Sequence, residues 1–394
     1  MKIAFVNDTI YGYATNAPVV GGAERQQWLL ARTLAASGWS VTVGVRDGLR
    51  AGERRSVAGV EFVGIGQANI YSAWYRFLGQ ERPDWWYWRC ASHLLGPAVE
   101  IAKRARVRTI YAAGFDTDFD PRRALSDRAR WWPLYAWGLA RTDRIFVQHL
   151  GQLHSVPTRW RHKSHVVRSF AGTLPHAVTP HRDRSKYVAW VAMLRRAKRP
   201  DLLAEIARRT PTVRFVVCGG ATNHASPVGY SQRAIEILQT LPNVEFLGQV
   251  TPEEAHHTIA NAALLLSTSD AEGFPNTFVQ AWANGTPVVS LRVDPDGVIE
   301  QHQLGTVPGS VERAAADIVA LMESPQRRQE MAARSRDYVA ITHGEAAVRA
   351  AFHEGVFMND PRDNTIGGDH AINLPSHRHV DKSTGLVTPH GKMD

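Results

Sequence analysis

Cysteine is nearly missing from this chain. Cys90 and Cys218 are the two in 394 residues, too few for a disulfide framework and in no zinc-ligand spacing. No stretch approaches the roughly 18 consecutive apolar residues that a membrane span needs. The opening Met1-Lys2-Ile3-Ala4-Phe5-Val6-Asn7-Asp8 has no basic start and no long apolar region. It reads as a first strand and not as a signal peptide, so the cytoplasm is the expected compartment. No G-x-G-x-x-G is present, which argues against a dinucleotide dehydrogenase. No nucleic-acid-binding module is visible, so a nucleic-acid partner is not expected. Acidic residues are short in one half: residues 1–168 hold 24 Lys and Arg against 13 Asp and Glu, and the remainder 22 against 24. The first half therefore calls for an anionic partner, such as a membrane surface or a phosphorylated acceptor.

What is present is ordinary globular sequence, 44% hydrophobic and long enough for two domains. Its most informative stretch is 262–290. Ala262-Ala263-Leu264-Leu265-Leu266 is a short apolar run of buried-strand type. Asp270-Ala271-Glu272-Gly273-Phe274-Pro275 is an acidic turn, with Pro275 suited to the first turn of a helix. Asn276 to Asn284 has helical spacing, with Phe278, Val279, Ala281 and Trp282 on one face, and Gly285 closes it. Pro287-Val288-Val289 begins another strand. In a parallel α/β sheet the loop after a strand's carboxyl end is where ligands sit, and a helix N-terminus there favours an anion.

This string resembles the sugar-nucleotide site of glycosyltransferase family 4, whose pattern is Glu, Gly-Phe-Pro/Gly, then a second Glu after seven residues. Glu272 takes the first position and Gln280 the second. The resemblance implies an α/β GT-B fold, two facing Rossmann-like domains with a cleft between them. It implies a retaining transfer of sugar from a nucleotide diphosphate-sugar to an acceptor hydroxyl, with no metal and no cofactor beyond that donor. Glu272 would face the donor sugar and Gln280 the ribose, where an amide can still donate and accept hydrogen bonds. Gly273, Phe274, Pro275, Asn276, Thr277 and Phe278 would line the donor diphosphate corner. The family strand that opens the second domain ends in Arg, followed five residues later by Lys. Here that strand is Tyr187–Leu194; Lys198 matches the Lys, but Met193 stands at the Arg position, so Arg195 or Arg196 is expected to supply the charge. Gly219 closes the strand 213–218, and Leu247 ends the strand 243–248 that the family lays against the nucleobase. In the first domain Gly21-Gly22 resembles the family's glycine-rich loop. After the strand Arg108–Ala113 the family often has a His near the reacting carbon; Asp116 and Asp118 are nearest to that place.

The expected domains are 1–170 on the acceptor side, a linker 171–185, a donor domain 186–340, a helix 341–357 that crosses back, and a disordered tail 358–394. Two aromatic-basic clusters remain in the first domain, Arg82-Pro83-Asp84-Trp85-Trp86-Tyr87-Trp88-Arg89 and Arg128 to Trp137. Trp with Arg suits a bilayer interface or a sugar-stacking groove, and equally a packed core. The acceptor is thus expected to be anionic or lipid-linked, with peripheral contact at the inner face of the membrane. The losses at positions 193 and 280 also motivate another reading, an inactive GT-B protein that binds a nucleotide or an anionic membrane.

Overall fold

The structure, a computed structural model, describes residues 1–17, 21–222 and 227–358. The tail expected over 358–394 lies outside them except for Met358. Two sheets organise the chain. The first is formed by β1 (Lys2–Val6), β2 (Ser40–Val45), β3 (Arg54–Val57), β4 (Val60–Gly64), β5 (Trp85–Arg89), β6 (Arg108–Ala112), β7 (Arg144–Val147) and β8 (Ser164–Val166). Their order is β3-β4-β2-β1-β5-β6-β7-β8, and every pair is parallel except β3 with β4. The second has β9 (Tyr187–Val191), β10 (Arg214–Cys218), β11 (Val244–Gly248), β12 (Leu264–Ser267), β13 (Val288–Ser290) and β14 (Gly305–Thr306). Its order is β11-β10-β9-β12-β13-β14, parallel throughout. Helices on both faces of each sheet explain why central strands such as Leu264-Leu265-Leu266 are continuous apolar runs, not alternating ones.

The first Trp cluster is core. Trp85 and Trp86 lie in β5, buried on its two faces. Trp86 packs edge-on with Trp74 and Trp88, at centroid distances of 5.5 and 5.9 Å. Arg108 covers Trp85 at 4.1 Å from the ring centroid, so this cation is matched within the molecule. These tryptophans cannot serve a membrane. The second cluster differs: Trp131 and Trp137 are exposed, flanked by Arg130 and Arg141.

The connection between the sheets is tied down at both ends. Phe170 and Gln26 exchange two hydrogen bonds of 2.7 and 3.0 Å, and the buried Arg25 guanidinium donates to the carbonyls of Phe170 and Ala171. Arg184, also buried, donates to the carbonyls of Thr179, Ala262 and Asn284 and to Thr286 Oγ1. Burial pulls its pKa down to about 10, with no carboxylate to oppose that. Helix Pro325–Thr342 ends at His343. The following helix, Glu345–Phe357, then places Val348, Phe352 and Val356 in the core of the first sheet.

Candidate active site

A cavity of about 490 Å³ lies between the carboxyl ends of the two sheets. Two loops of the second sheet form one wall. The first follows β9 and carries Arg195 and Lys198; the second follows β12 and carries Glu272. Thr268 stitches them: its hydroxyl donates to the Lys198 carbonyl at 2.7 Å and accepts from Trp190 Nε1 at 3.0 Å. Asp270 N–H also reaches the Ala197 carbonyl, at 2.9 Å. Held this way, Lys198 Nζ meets Glu272 Oε1 in an ion pair, and Ser269 Oγ donates to the same oxygen at 2.7 Å. Both partners are largely buried, with side-chain exposures of 15% for Lys198 and 9% for Glu272. Arg195 lines the cavity, and its buried Nε has no hydrogen-bond partner. The helix Asn276–Ala283 starts at the cavity wall without a side-chain cap, so the positive end of its dipole lies at the same space.

The opposite wall belongs to the first sheet. Gly21, Gly22 and Glu24 come from the start of helix Gly22–Ala36, Arg89 and Cys90 from the end of β5, Gly114 and Phe115 from the end of β6, and Gln148 from the end of β7. Cys90 sits at φ 69, in the left-handed region that side chains avoid. Burial pushes its thiol up to about 12, so it is protonated and no nucleophile. Among the described residues, no group of three or more His, Cys, Asp and Glu is arranged to hold a metal ion.

The cavity therefore gathers Lys198, Glu272, Arg195, Gly21, Gly22, Gly219, Gly273, Phe274, Pro275, Asn276, Thr277 and Gln280. Five other expected residues do not line it. Phe278 is fully buried in the second core, on the face of its helix turned to the sheet. Arg196 is exposed, so of the two arginines it is Arg195 that faces the cavity. Leu247 points outward from the edge strand β11; the chain turns at Gly248, φ 70, and Gln249, Val250, Thr251 and Pro252 reach the cavity instead. Asp118 is a structural acid. It is buried, accepting from Tyr111 Oη and from Gly114 N–H, both at 2.7 Å. Burial raises its pKa despite those bonds. Asp116 is half-exposed and pairs with His149 Nε2 at 2.8 Å. Sequence reasoning missed Arg25, Gln148 and Gln249, which belong to no contiguous motif, while Arg89, the last residue of the first aromatic-basic cluster, lines the cavity.

Two parallel α/β sheets whose carboxyl ends face one cleft, joined by a C-terminal helix that returns to the first sheet, define the GT-B class of proteins. Residues 175–338, which span most of the second sheet and its helices, match the family described as glycosyl transferases group 1. The D-inositol 3-phosphate glycosyltransferase of Segniliparus rotundus is 32% identical over 152 residues, 36% of this chain and 34% of that one. The protein of the same name from Corynebacterium diphtheriae is 29% identical over 165 residues, 40% and 39% of the two chains. The alignments thus span little more than a third of the length of these curated relatives. Among solved structures, HepE of Anabaena in complex with UDP-glucose superposes with a TM-score of 0.69 at 15% identity, covering 90% of this chain and 99% of that one. Sucrose-phosphate synthase from Thermosynechococcus elongatus gives 0.67 at 15%, covering 91% and 98%. At such identities these likenesses establish the fold.

Proposed function

We propose that this chain is a retaining glycosyltransferase that moves a sugar from a nucleoside diphosphate-sugar to an acceptor hydroxyl. The observation that carries the reading is the meeting of Lys198, Arg195 and the uncapped start of helix Asn276–Ala283 around one cavity that also holds Glu272. Three positive groups converge where a diphosphate would leave, and charge developing there is stabilised without reorganisation. The bond from the sugar's anomeric carbon to the diphosphate oxygen breaks with its electron pair leaving on the phosphate. The acceptor oxygen bonds to that carbon on the same face, and its proton passes to the departing phosphate oxygen. This route needs no protein nucleophile, in keeping with a protonated Cys90 and a buried Asp118. Glu272 orients the sugar hydroxyls, and Gln280 and Gln249 hold the nucleoside.

The acceptor side is the basic first domain. Arg89 lines the cavity with its Nη1 donating to Tyr87 Oη at 3.2 Å, a cation suited to an anionic acceptor. Relatives named for D-inositol 3-phosphate favour a phosphorylated polyol. Exposed Trp131 and Trp137 with their arginines support contact with an anionic membrane face on the cytoplasmic side. No helix among the described residues is long and apolar enough to cross a membrane. The deciding experiment is a panel of nucleotide sugars scored for nucleoside diphosphate release, with and without inositol phosphate, on wild type and Glu272→Ala. Release that depends on Glu272 supports the transferase. Nucleotide binding with no release from any donor leaves a GT-B binding protein instead.

A further inference from the structure

One short segment of the first domain, Gln148 to Gln152, grips two separate loops of the second. Gln148 is buried at the end of β7, and its Oε1 accepts from the Phe274 N–H at 3.1 Å and from Gln152 Nε2 at 3.3 Å. Its own Nε2 donates to Ser169 Oγ at 3.0 Å, and its N–H to Gln152 Oε1 at 2.8 Å, so the acceptor oxygen is fixed in place. The neighbouring Gly273 is pressed into the same seat. A Cβ there would come within 2.2 Å of Gln148 Oε1 and 2.5 Å of the Gly114 carbonyl oxygen.

The second contact starts one residue along. His149 Nδ1 lies 3.0 Å from Asp296 Oδ1, while its Nε2 holds Asp116. The Asp296 carboxylate also accepts from Leu150 N–H and Gly151 N–H, both at 2.8 Å. Asp296 makes these contacts from φ 55, a conformation that a residue other than glycine adopts at a cost. Phe274 lies against the His149 ring, at a centroid distance of 6.4 Å, and so joins the two grips.

We infer that Gln148 and the His149–Asp296 pair form an interdomain clamp through which the first domain positions the Glu272 loop for sugar transfer. The two gripped loops follow adjacent strands, β12 and β13, and the first carries Glu272 two residues before the amide that Gln148 accepts. Of the nucleotide wall, Arg195 and Lys198 lie on another loop, and only the start of helix Asn276–Ala283 adjoins the clamp. Losing it therefore disturbs orientation of the sugar more than binding of the nucleotide. These are positioning residues, and their part in transfer rests on the proposed function, whereas the clamp itself does not.

The test is amide hydrogen exchange on the full chain, read in peptides spanning 270–278 and 148–153, for wild type, Gln148→Met and Asp296→Gly. Met keeps the bulk of Gln148 without its acceptor, and glycine accepts the left-handed backbone at 296. Exchange at Phe274 is expected to quicken by about tenfold or more in Gln148→Met, and at Leu150 and Gly151 in Asp296→Gly. Unchanged exchange in both variants overturns the clamp. A kinetic arm uses UDP for binding and UDP-glucose for turnover. Gln148→Met is expected to lower kcat about tenfold while the UDP Kd stays within about threefold, since only orientation is lost. A parallel loss of UDP affinity overturns the positioning role. Faster exchange in the variants with no turnover by wild type on any nucleotide sugar leaves the clamp standing and removes the proposed function.

Discussion

Lys198 and Glu272 form a largely buried ion pair, each the other's counter-ion. A diphosphate would compete for the Lys198 ammonium, a point charge that tolerates small shifts of its partner. The Glu272 carboxylate, still held by Ser269, would then be free to accept from sugar hydroxyls. Two outcomes follow at this scale. Lys198→Ala removes one charge-assisted bond, worth about 1.5–3 kcal/mol, so UDP affinity by calorimetry should fall by roughly ten- to a hundredfold. Glu272→Gln should act differently, leaving UDP affinity unchanged or tighter because Lys198 loses its competitor, while turnover drops. A parallel fall in UDP affinity in Glu272→Gln would show that the carboxylate holds the nucleotide directly. The residues of this corner were readable because they are contiguous: Glu272 to Gln280 form one loop and one helix. Arg195 needed the structure, since nothing in Arg195-Arg196 says which side chain turns inward. Gln148 and Arg25 could not be read at all. Their partners lie 126 and 145 residues away, and a polar residue at a strand end or in a first helical turn has no distinguishing pattern.

Among elements, the acidic loop between β12 and the helix Asn276–Ala283 is bounded by backbone on its far side. Gly273 shows why this matters. The Gly114 carbonyl oxygen, 2.5 Å from a Cβ at position 273, cannot rotate away as a side chain would. Gly273→Ala should thus push the loop and β6 apart, with turnover lowered about tenfold or more and a melting temperature only a few degrees lower. Activity near wild type would show that the two domains close less tightly in catalysis than here. The His149 contact adds a pH dependence. Burial lowers the His149 pKa, but its bonds to Asp116 from one turn and Asp296 from another outweigh burial, and the net shift is upward. Asp296 is shifted downward: burial opposes, and the Gly151 and Leu150 amides and His149 prevail. A raised histidine contributes its stabilisation fully below its ordinary pKa of about 6.5 and loses it as pH rises through the raised value. A depressed Asp contributes above its ordinary value, about 3.9, and loses its share as pH falls through the lowered one. The contact is therefore firmest between these limits and loosens towards alkaline pH, where a neutral ring can donate to only one of its two carboxylates. Exchange at Leu150 and Gly151, corrected for the intrinsic rate, should quicken above neutral pH in wild type and show no such step in His149→Gln.

Over the whole molecule, the two-sheet architecture was legible because parallel strands buried on both faces write themselves as apolar runs separated by helical periods. The Trp-rich strand β5 was ambiguous for the same reason, since a buried strand and an interfacial patch share a composition. What composition could not convey is how the domains are joined, because the joints are made by buried polar side chains. His343 is such a joint. It stands where helix Pro325–Thr342 ends and the chain returns to the first sheet, its backbone carbonyl accepting from Ala171 N–H at 3.0 Å. Its Nδ1 lies 2.8 Å from the Ser169 carbonyl oxygen, so the neutral ring carries its proton there, and Phe274 and Tyr338 pack on the ring. Burial is the main cause that drives its pKa down to about 3. His181, bonded to the Gly285 carbonyl near Arg184 and Arg328, is driven down to about 4, again chiefly by burial. Both rings are neutral in the folded chain at a pH where they would charge in the unfolded one. Their contribution is whole above the ordinary histidine value, about 6.5, and is lost as pH falls from there towards the folded values. At about 1.4 kcal/mol per unit, each could remove on the order of a few kcal/mol, a large share of the roughly 5–15 kcal/mol typical of a folded protein. The melting temperature should therefore fall steeply between pH 6.5 and 4. His343→Phe keeps a ring of similar reach against Phe274 and Tyr338 and gives up the bond to Ser169. It should melt lower than wild type at pH 7.5 and lose less on acidification, so that the two curves converge or cross. Curves that stay parallel down to pH 4 would show that this histidine does not govern the acid limit.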